Sequence, residues 1–80
     1  MNDLMKLYNY LKNNDNEIIV TQFYIWKYQD DIEEQIDLLE CFIESRCQKL
    51  NIPLSYNLTK ALYFILRNDI LGENKTFQNI

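Results

Sequence analysis

Apolar side chains recur at the spacing of an α-helix through the whole middle of this 80-residue chain. The members of the series are Ile25, Tyr28, Ile32, Ile36, Leu39, Ile43, Cys47 and Leu50. Successive members are 3, 4, 4, 3, 4, 4 and 3 residues apart, which averages close to the roughly 3.6 residues of one helical turn. The series therefore predicts a helix over residues 22–50.

The beginning of this helix has two interpretations. Residues 18–21 are β-branched, and such residues favour strands. A single strand would have no pairing partner in this chain unless a second copy supplied one. We therefore expect the helix to begin near residue 17, with Asp15 or Asn16 as its N-cap, and we keep a break near Thr21 as the alternative.

Two shorter helices are predicted on either side. Residues 3–13 carry apolar residues at i, i+3, i+4 and i+7, and residues 55–71 carry a broader apolar stripe. Pro53 separates the last helix from the central one, Ser55 is its expected N-cap, and Gly72 is its expected end. Residues 73–80 have no periodicity, so we expect a loose tail on a single domain covering residues 1–80.

These elements predict a small all-α fold of three helices, at residues 3–13, 17/22–50 and 55–71. The central helix would be about 45–50 Å long if it were unbroken. The two flanking helices are too short to cover it. Pairing of two long helices would cover the remainder, so we expect self-association as a homodimer.

The chain is acidic, with a formal net charge of −4. Nucleic acid and anionic membranes attract basic surfaces, so we expect neither direct nucleic-acid binding nor membrane binding. No apolar run approaches the roughly 20 residues of a membrane span. We therefore expect a cytoplasmic protein, located in the host cytoplasm if a virus or plasmid encodes it.

Residues 29–45 hold seven carboxylates and no cation. Five of these, which we call the acidic rail, are Asp30, Glu33, Asp37, Glu40 and Glu44. On a continuous helix they would fall within about 80° of one another. The rail has three interpretations: a solvated face that keeps the protein soluble, a strip that docks on a basic surface, or a weak divalent-metal site.

Aromatic residues cluster just before this acidic segment. The aromatic cluster consists of Phe23, Tyr24, Trp26 and Tyr28. Side chains this close in sequence cannot all face one core from a helix, so part of the cluster is expected near the surface. Tyr and Trp at a surface are favoured interface anchors, although the first helix and the tail could also cover them.

The composition disfavours catalysis and cofactor binding. The chain has no His for proton transfer near neutral pH and only one Gly, which rules out a Gly-rich phosphate loop. Cys41 and Cys47 lie on one predicted helix, too far apart for a disulfide, and two Cys cannot form a four-ligand zinc site alone. We predict no enzymatic activity, no cofactor and no structural metal.

The sequence thus favours a small acidic protein-binding module that occludes or modulates a larger, possibly nucleic-acid-handling protein, as inhibitors do. The expected partner has a basic surface. One alternative is a homodimeric structural or assembly protein. A second is a small helix-turn-helix DNA-binding regulator, in which Lys60 and Arg67 would share one face of the last helix.

Overall fold

Four α-helices make up the protein. The structure, a computed structural model, describes the backbone of residues 2–14 and 16–78 and the side chains of residues 2–14 and 17–69. The helices are α1 (Asp3–Asn14), α2 (Asn16–Tyr28), α3 (Ile32–Leu50) and α4 (Tyr56–Gln78). Within those bounds there is no strand. The predicted all-α class is confirmed, and residues 17–21 are helical.

The prediction of three helices with one long central helix is wrong, because the chain leaves the helix at residues 29–31. Asp31 adopts an extended backbone, with φ −85° and ψ 117°, and caps α3. Its Oδ1 accepts a hydrogen bond from the Glu33 backbone N–H at 2.9 Å. Gln29 Oε1 accepts a longer one from the Asp31 N–H at 3.3 Å. Polar side chains here satisfy backbone groups that a continuous helix would otherwise use.

The apolar series did not reveal this break because its steps continue across it. Tyr28 and Ile32 are four residues apart, as on one helix, yet they belong to different helices. Both are exposed, Tyr28 at 73% and Ile32 at 45%, so neither belongs to the buried stripe. Only the later members of the series are fully buried: Ile36, Leu39, Ile43 and Cys47.

The ends of α3 and α4 follow local chemistry. Asn51 ends α3 in the left-handed region, at φ 58°, and its N–H bonds the carbonyls of Cys47 and Gln48. Ser55 caps α4 as predicted, since its Oγ accepts from the Leu58 N–H at 3.1 Å. The predicted end of the last helix at residue 71 is wrong, because α4 continues through Gly72 to Gln78.

The core lies where the four helices meet. It is formed by Leu7 and Leu11 of α1, Ile18 of α2, the buried stripe of α3 and, from α4, Leu62, Tyr63 and Leu66, with Ile52 from the loop. The molecule measures 42 × 25 × 20 Å, so its longest dimension is shorter than the single helix expected from the sequence. The reason given for self-association, a long helix left uncovered, is therefore removed. Self-association itself stays a prediction.

Two further features complete the fold. Tyr8 Oη donates to Asp69 Oδ2 at 2.8 Å, and Lys12 Nζ lies 3.6 Å from the same oxygen, so α1 is tied to α4. None of the described helices combines the length and the apolar composition needed to cross a bilayer.

Candidate functional site

The acidic rail is mostly a feature of α3. Glu33, Asp37, Glu40 and Glu44 lie on one side of this helix, at successive spacings of four, three and four residues. They span about 16 Å along its axis. Asp30 lies in the link before the helix, so it is not on that line. All of these side chains are exposed except Glu40, which is half-buried.

Few nearby groups offset the negative charge of the rail carboxylates. Among the described side chains, the one hydrogen bond to the rail comes from Tyr56, whose Oη donates to Glu33 Oε2 at 2.5 Å. This hydrogen bond raises the pKa of Tyr56, as do desolvation and the charges of Glu33 and Asp37. None of the rail residues forms an ion pair within the part of the chain that the structure describes. Like charges at these spacings repel, so the rail suits an approaching cation.

The structure divides the predicted aromatic cluster between surface and interior. Phe23, Tyr24 and Tyr28 are exposed at 45%, 58% and 73%. Together with exposed Val20 they form what we call the aromatic face of α2. The rings of Tyr24 and Tyr28 stack, with centroids 6.4 Å apart and an interplanar angle of 6°. Trp26 lies apart from this face, half-buried, and meets the Tyr63 ring edge-on at a centroid distance of 6.2 Å.

The opposite side of α2 buries polar groups without partners. Gln22 is fully buried, and neither its amide nitrogen nor its amide oxygen forms a hydrogen bond with a described residue. The indole N–H of Trp26 is covered and likewise has no acceptor among the described residues. Each such unpaired group costs about 1–3 kcal/mol. Helix α2 therefore exposes large apolar side chains while burying an unpaired amide.

A polar chain connects α4 to the link between α2 and α3. Arg67 Nη1 donates to Tyr63 Oη at 2.6 Å, and Tyr63 Oη donates to Gln35 Oε1. Gln35 Nε2 in turn donates to the backbone carbonyl of Gln29. The Arg67 guanidinium carbon lies 5.9 Å from the ring centroids of both Trp26 and Tyr63. This series of hydrogen bonds holds the link between α2 and α3, where the helix breaks.

Sequence reasoning missed Arg67 as a surface feature. The sequence placed Arg67 only on a DNA-contacting face with Lys60. In the structure Arg67 packs against aromatic rings, whereas Lys60 is exposed and lies 6.0 Å from the Tyr56 ring centroid. No sequence signal could have joined Arg67 to Trp26 and Gln35, because these residues are far apart in the chain.

The described residues contain no group of three or more Cys, Asp or Glu side chains placed to hold a metal ion. Cys41 is exposed, Cys47 is buried, and both are free thiols. Burial, followed by the charge of Asp3, raises the pKa of the Cys47 thiol. A buried thiol with a raised pKa is a poor nucleophile.

Comparisons of the chain with protein-family models, with curated proteins and with solved structures find no match.

Proposed function

We propose that this protein is a small, non-enzymatic protein-binding module that acts by occluding or modulating a larger protein. The observation that carries the proposal is the aromatic face of α2. Large side chains that remain exposed on one helix face are typical of interaction surfaces. The unpaired Gln22 behind that face adds support, because α2 is not arranged to maximise the stability of the isolated molecule.

The acidic rail supports a basic surface on the partner. None of its carboxylates forms an ion pair with a described residue, so a partner bearing Lys or Arg would relieve their mutual repulsion. Charge complementarity of this kind mainly accelerates association and selects the partner. A protein that handles nucleic acid presents such a basic surface, which makes this class of partner the leading candidate. The proposed location is the cytoplasm, of the host if the gene is viral or plasmid-borne.

A homodimeric structural or assembly role is the second candidate. The aromatic face could be covered by the same face of a second copy, since symmetric pairs use one patch twice. The helix-turn-helix candidate is weaker, because Arg67 is half-buried against Trp26 and does not project from the helix surface beside the exposed Lys60.

The test is capture of partners from cell lysate, followed by a binding measurement with the purified partner. One variant removes much of the aromatic face, by Val20→Ser, Tyr24→Ser and Tyr28→Ser. The control is Met5→Ser, which removes an exposed apolar side chain from α1. We expect a stoichiometric partner to bind the wild type and the control, and to bind the triple variant at least about tenfold more weakly.

Two results would contradict the proposal. Equal capture of the partner by the wild type and the triple variant would mean that the aromatic face takes no part in partner binding. Light scattering that shows a dimer, with no other protein captured, would favour the homodimeric role.

A further inference from the structure

Arg67 lies between two concavities of the surface. One, of about 350 Å³, is lined by Phe23, Trp26, Lys27 and Arg67. The other, of about 390 Å³, is lined by Ile32, Phe64, Asn68 and again Arg67. We call the pair the Arg67 groove. None of the described residues that line the two concavities is a carboxylate, although the chain as a whole carries a net charge of −4.

The Arg67 guanidinium retains unused hydrogen-bonding capacity. The two hydrogen bonds that it makes with described residues are both donated by Nη1, to Tyr63 Oη at 2.6 Å and to Gln35 Oε1 at 3.5 Å. A guanidinium has five N–H donors arranged as a fork. Nε and Nη2 therefore have no partner among the described residues, and no described carboxylate forms an ion pair with Arg67.

The position of Arg67 is fixed by its surroundings. It is half-buried and packs against the rings of Trp26 and Tyr63. A guanidinium held in this way loses little conformational freedom when it binds a planar anion. Because it is partly shielded from water, its attraction for a carboxylate is stronger than that of an exposed Lys.

The walls of the groove are apolar and accessible. Ile32 and Phe64 are exposed at 45% and 47%, and Phe23 lies on the Trp26 side. Lys27 adds a second cation at the rim, where its Nζ lies 5.5 Å from the Tyr28 ring centroid. The groove thus combines an unpaired, forked cation at its centre with an apolar surface on both sides.

From this arrangement we propose that the Arg67 groove binds a short segment of a partner protein in which one carboxylate is flanked by apolar side chains. The carboxylate pairs with the free N–H groups of Arg67, and the flanking side chains occupy the two concavities. A nucleic-acid strand fits less well, because the net charge of the protein repels a polyanion whereas a single carboxylate is repelled far less. The inference rests on the proposed protein-binding function and adds a site distinct from the acidic rail.

Trp26 provides the readout, because it is the single Trp of the chain and lines the groove. The probe is the blocked peptide acetyl-Ser-Leu-Glu-Leu-Ser-amide, titrated at low salt, and the matched probe has Gln in place of Glu. We expect the Glu peptide to shift the Trp26 emission saturably and to bind about tenfold more tightly than the Gln peptide, as a charge-assisted pair predicts.

Two variants test whether Arg67 causes the preference for the Glu peptide over the Gln peptide. Arg67→Gln should make the two peptides bind equally. Lys49→Gln makes the same change of charge at an exposed site on α3 and should leave the preference intact. If Arg67→Gln does not fold, the comparison of the two peptides on the wild-type protein still decides the question.

Three outcomes would overturn the inference. The first is equal binding of both peptides, or no binding, to the wild type. The second is a single-stranded oligothymidine that binds more tightly than the Glu peptide. The third is a shift of Trp26 emission that grows with protein concentration in the absence of peptide, together with a dimeric molecular mass. That result would mean that a second copy of the protein occupies the groove. If the peptide test fails but the partner is still captured, the Arg67 groove is excluded as a binding site and the proposed function is retained. The two tests can be told apart because the variant used for partner capture keeps Phe23 and Arg67.

Discussion

Helices α2 and α3 belong to one apolar series in sequence, yet they divide their side chains between core and solvent in different ways. On α3 the members of the series from Ile36 to Cys47 are buried, and carboxylates border the buried stripe. On α2 the outward side carries the aromatic face and the inward side carries Gln22 without partners. The comparison indicates that α3 contributes more to the buried core, whereas the exposed side chains of α2 are available for the proposed binding.

The capping of the two helices reinforces the difference. Helix α3 has an N-cap at Asp31 and a left-handed C-cap at Asn51, both with satisfied hydrogen bonds. The end of α2 depends instead on contacts from outside the helix, because Gln35 bonds the Gln29 carbonyl and is itself held by Tyr63 and Arg67. Local sequence secures α3, whereas tertiary contacts position α2.

The largest expected effect tests the stabilising role of α3. Leu39→Ala removes a fully buried side chain and should lower the free energy of unfolding by about 2–5 kcal/mol, because it leaves a cavity. The matched change on α2 is Phe23→Ala, which should stay within about 0.5 kcal/mol, as for most surface substitutions. Urea denaturation measures both, and similar losses would abolish the distinction between the helices.

The next effect has the opposite sign. Gln22→Met removes two unpaired polar atoms at nearly constant volume, so it should raise the free energy of unfolding by about 1–3 kcal/mol. Gln35→Met makes the same chemical change at a paired amide, which bonds Gln29 and Tyr63, and should destabilise the protein. Thermal and urea denaturation compare the two variants. A loss of stability in Gln22→Met would mean that the amide of Gln22 has a partner after all.

A smaller effect concerns the break between the two helices. Asp31→Ala removes the N-cap of α3 and should cost about 1 kcal/mol. Asp30→Ala removes a neighbouring carboxylate that makes no cap and should be close to neutral. If both variants unfold at the same urea concentration as the wild type, the side chain of Asp31 does not determine where α3 begins.

The smallest effect separates stability from binding on the acidic rail. Asp37→Asn, Glu40→Gln and Glu44→Gln together should stabilise the isolated protein by a few tenths of a kcal/mol, because like-charge repulsion along α3 is relieved. Association with a basic partner should become slower and less dependent on salt. Stopped-flow association rates and thermal midpoints test this, and an unchanged rate would mean that the rail serves only solubility.

Part of this architecture could be predicted from the sequence because it depends on local chemistry. The spacing of Leu7 and Leu11, the buried stripe of α3 and the Ser55 cap are each set by residues within a few turns of one another. The four rail residues of α3 share a side for the same reason. Helix periodicity and capping act over this short range, so reading them requires no knowledge of the neighbouring helices.

The remainder was decided by tertiary structure. The step of four residues from Tyr28 to Ile32 is the same whether the helix continues or breaks. The hydrogen bonds among Gln35, Tyr63 and Arg67 that hold the break join residues that are distant in sequence. Which side of α2 is buried and which is exposed depends likewise on how this helix packs against the rest of the core. Sequence by itself determined that this chain is helical and where α3 is apolar. Only packing decided that Gln22 is buried, that Phe23 is exposed and that Arg67 lies between two concavities, because burial depends on neighbours that local spacing does not specify.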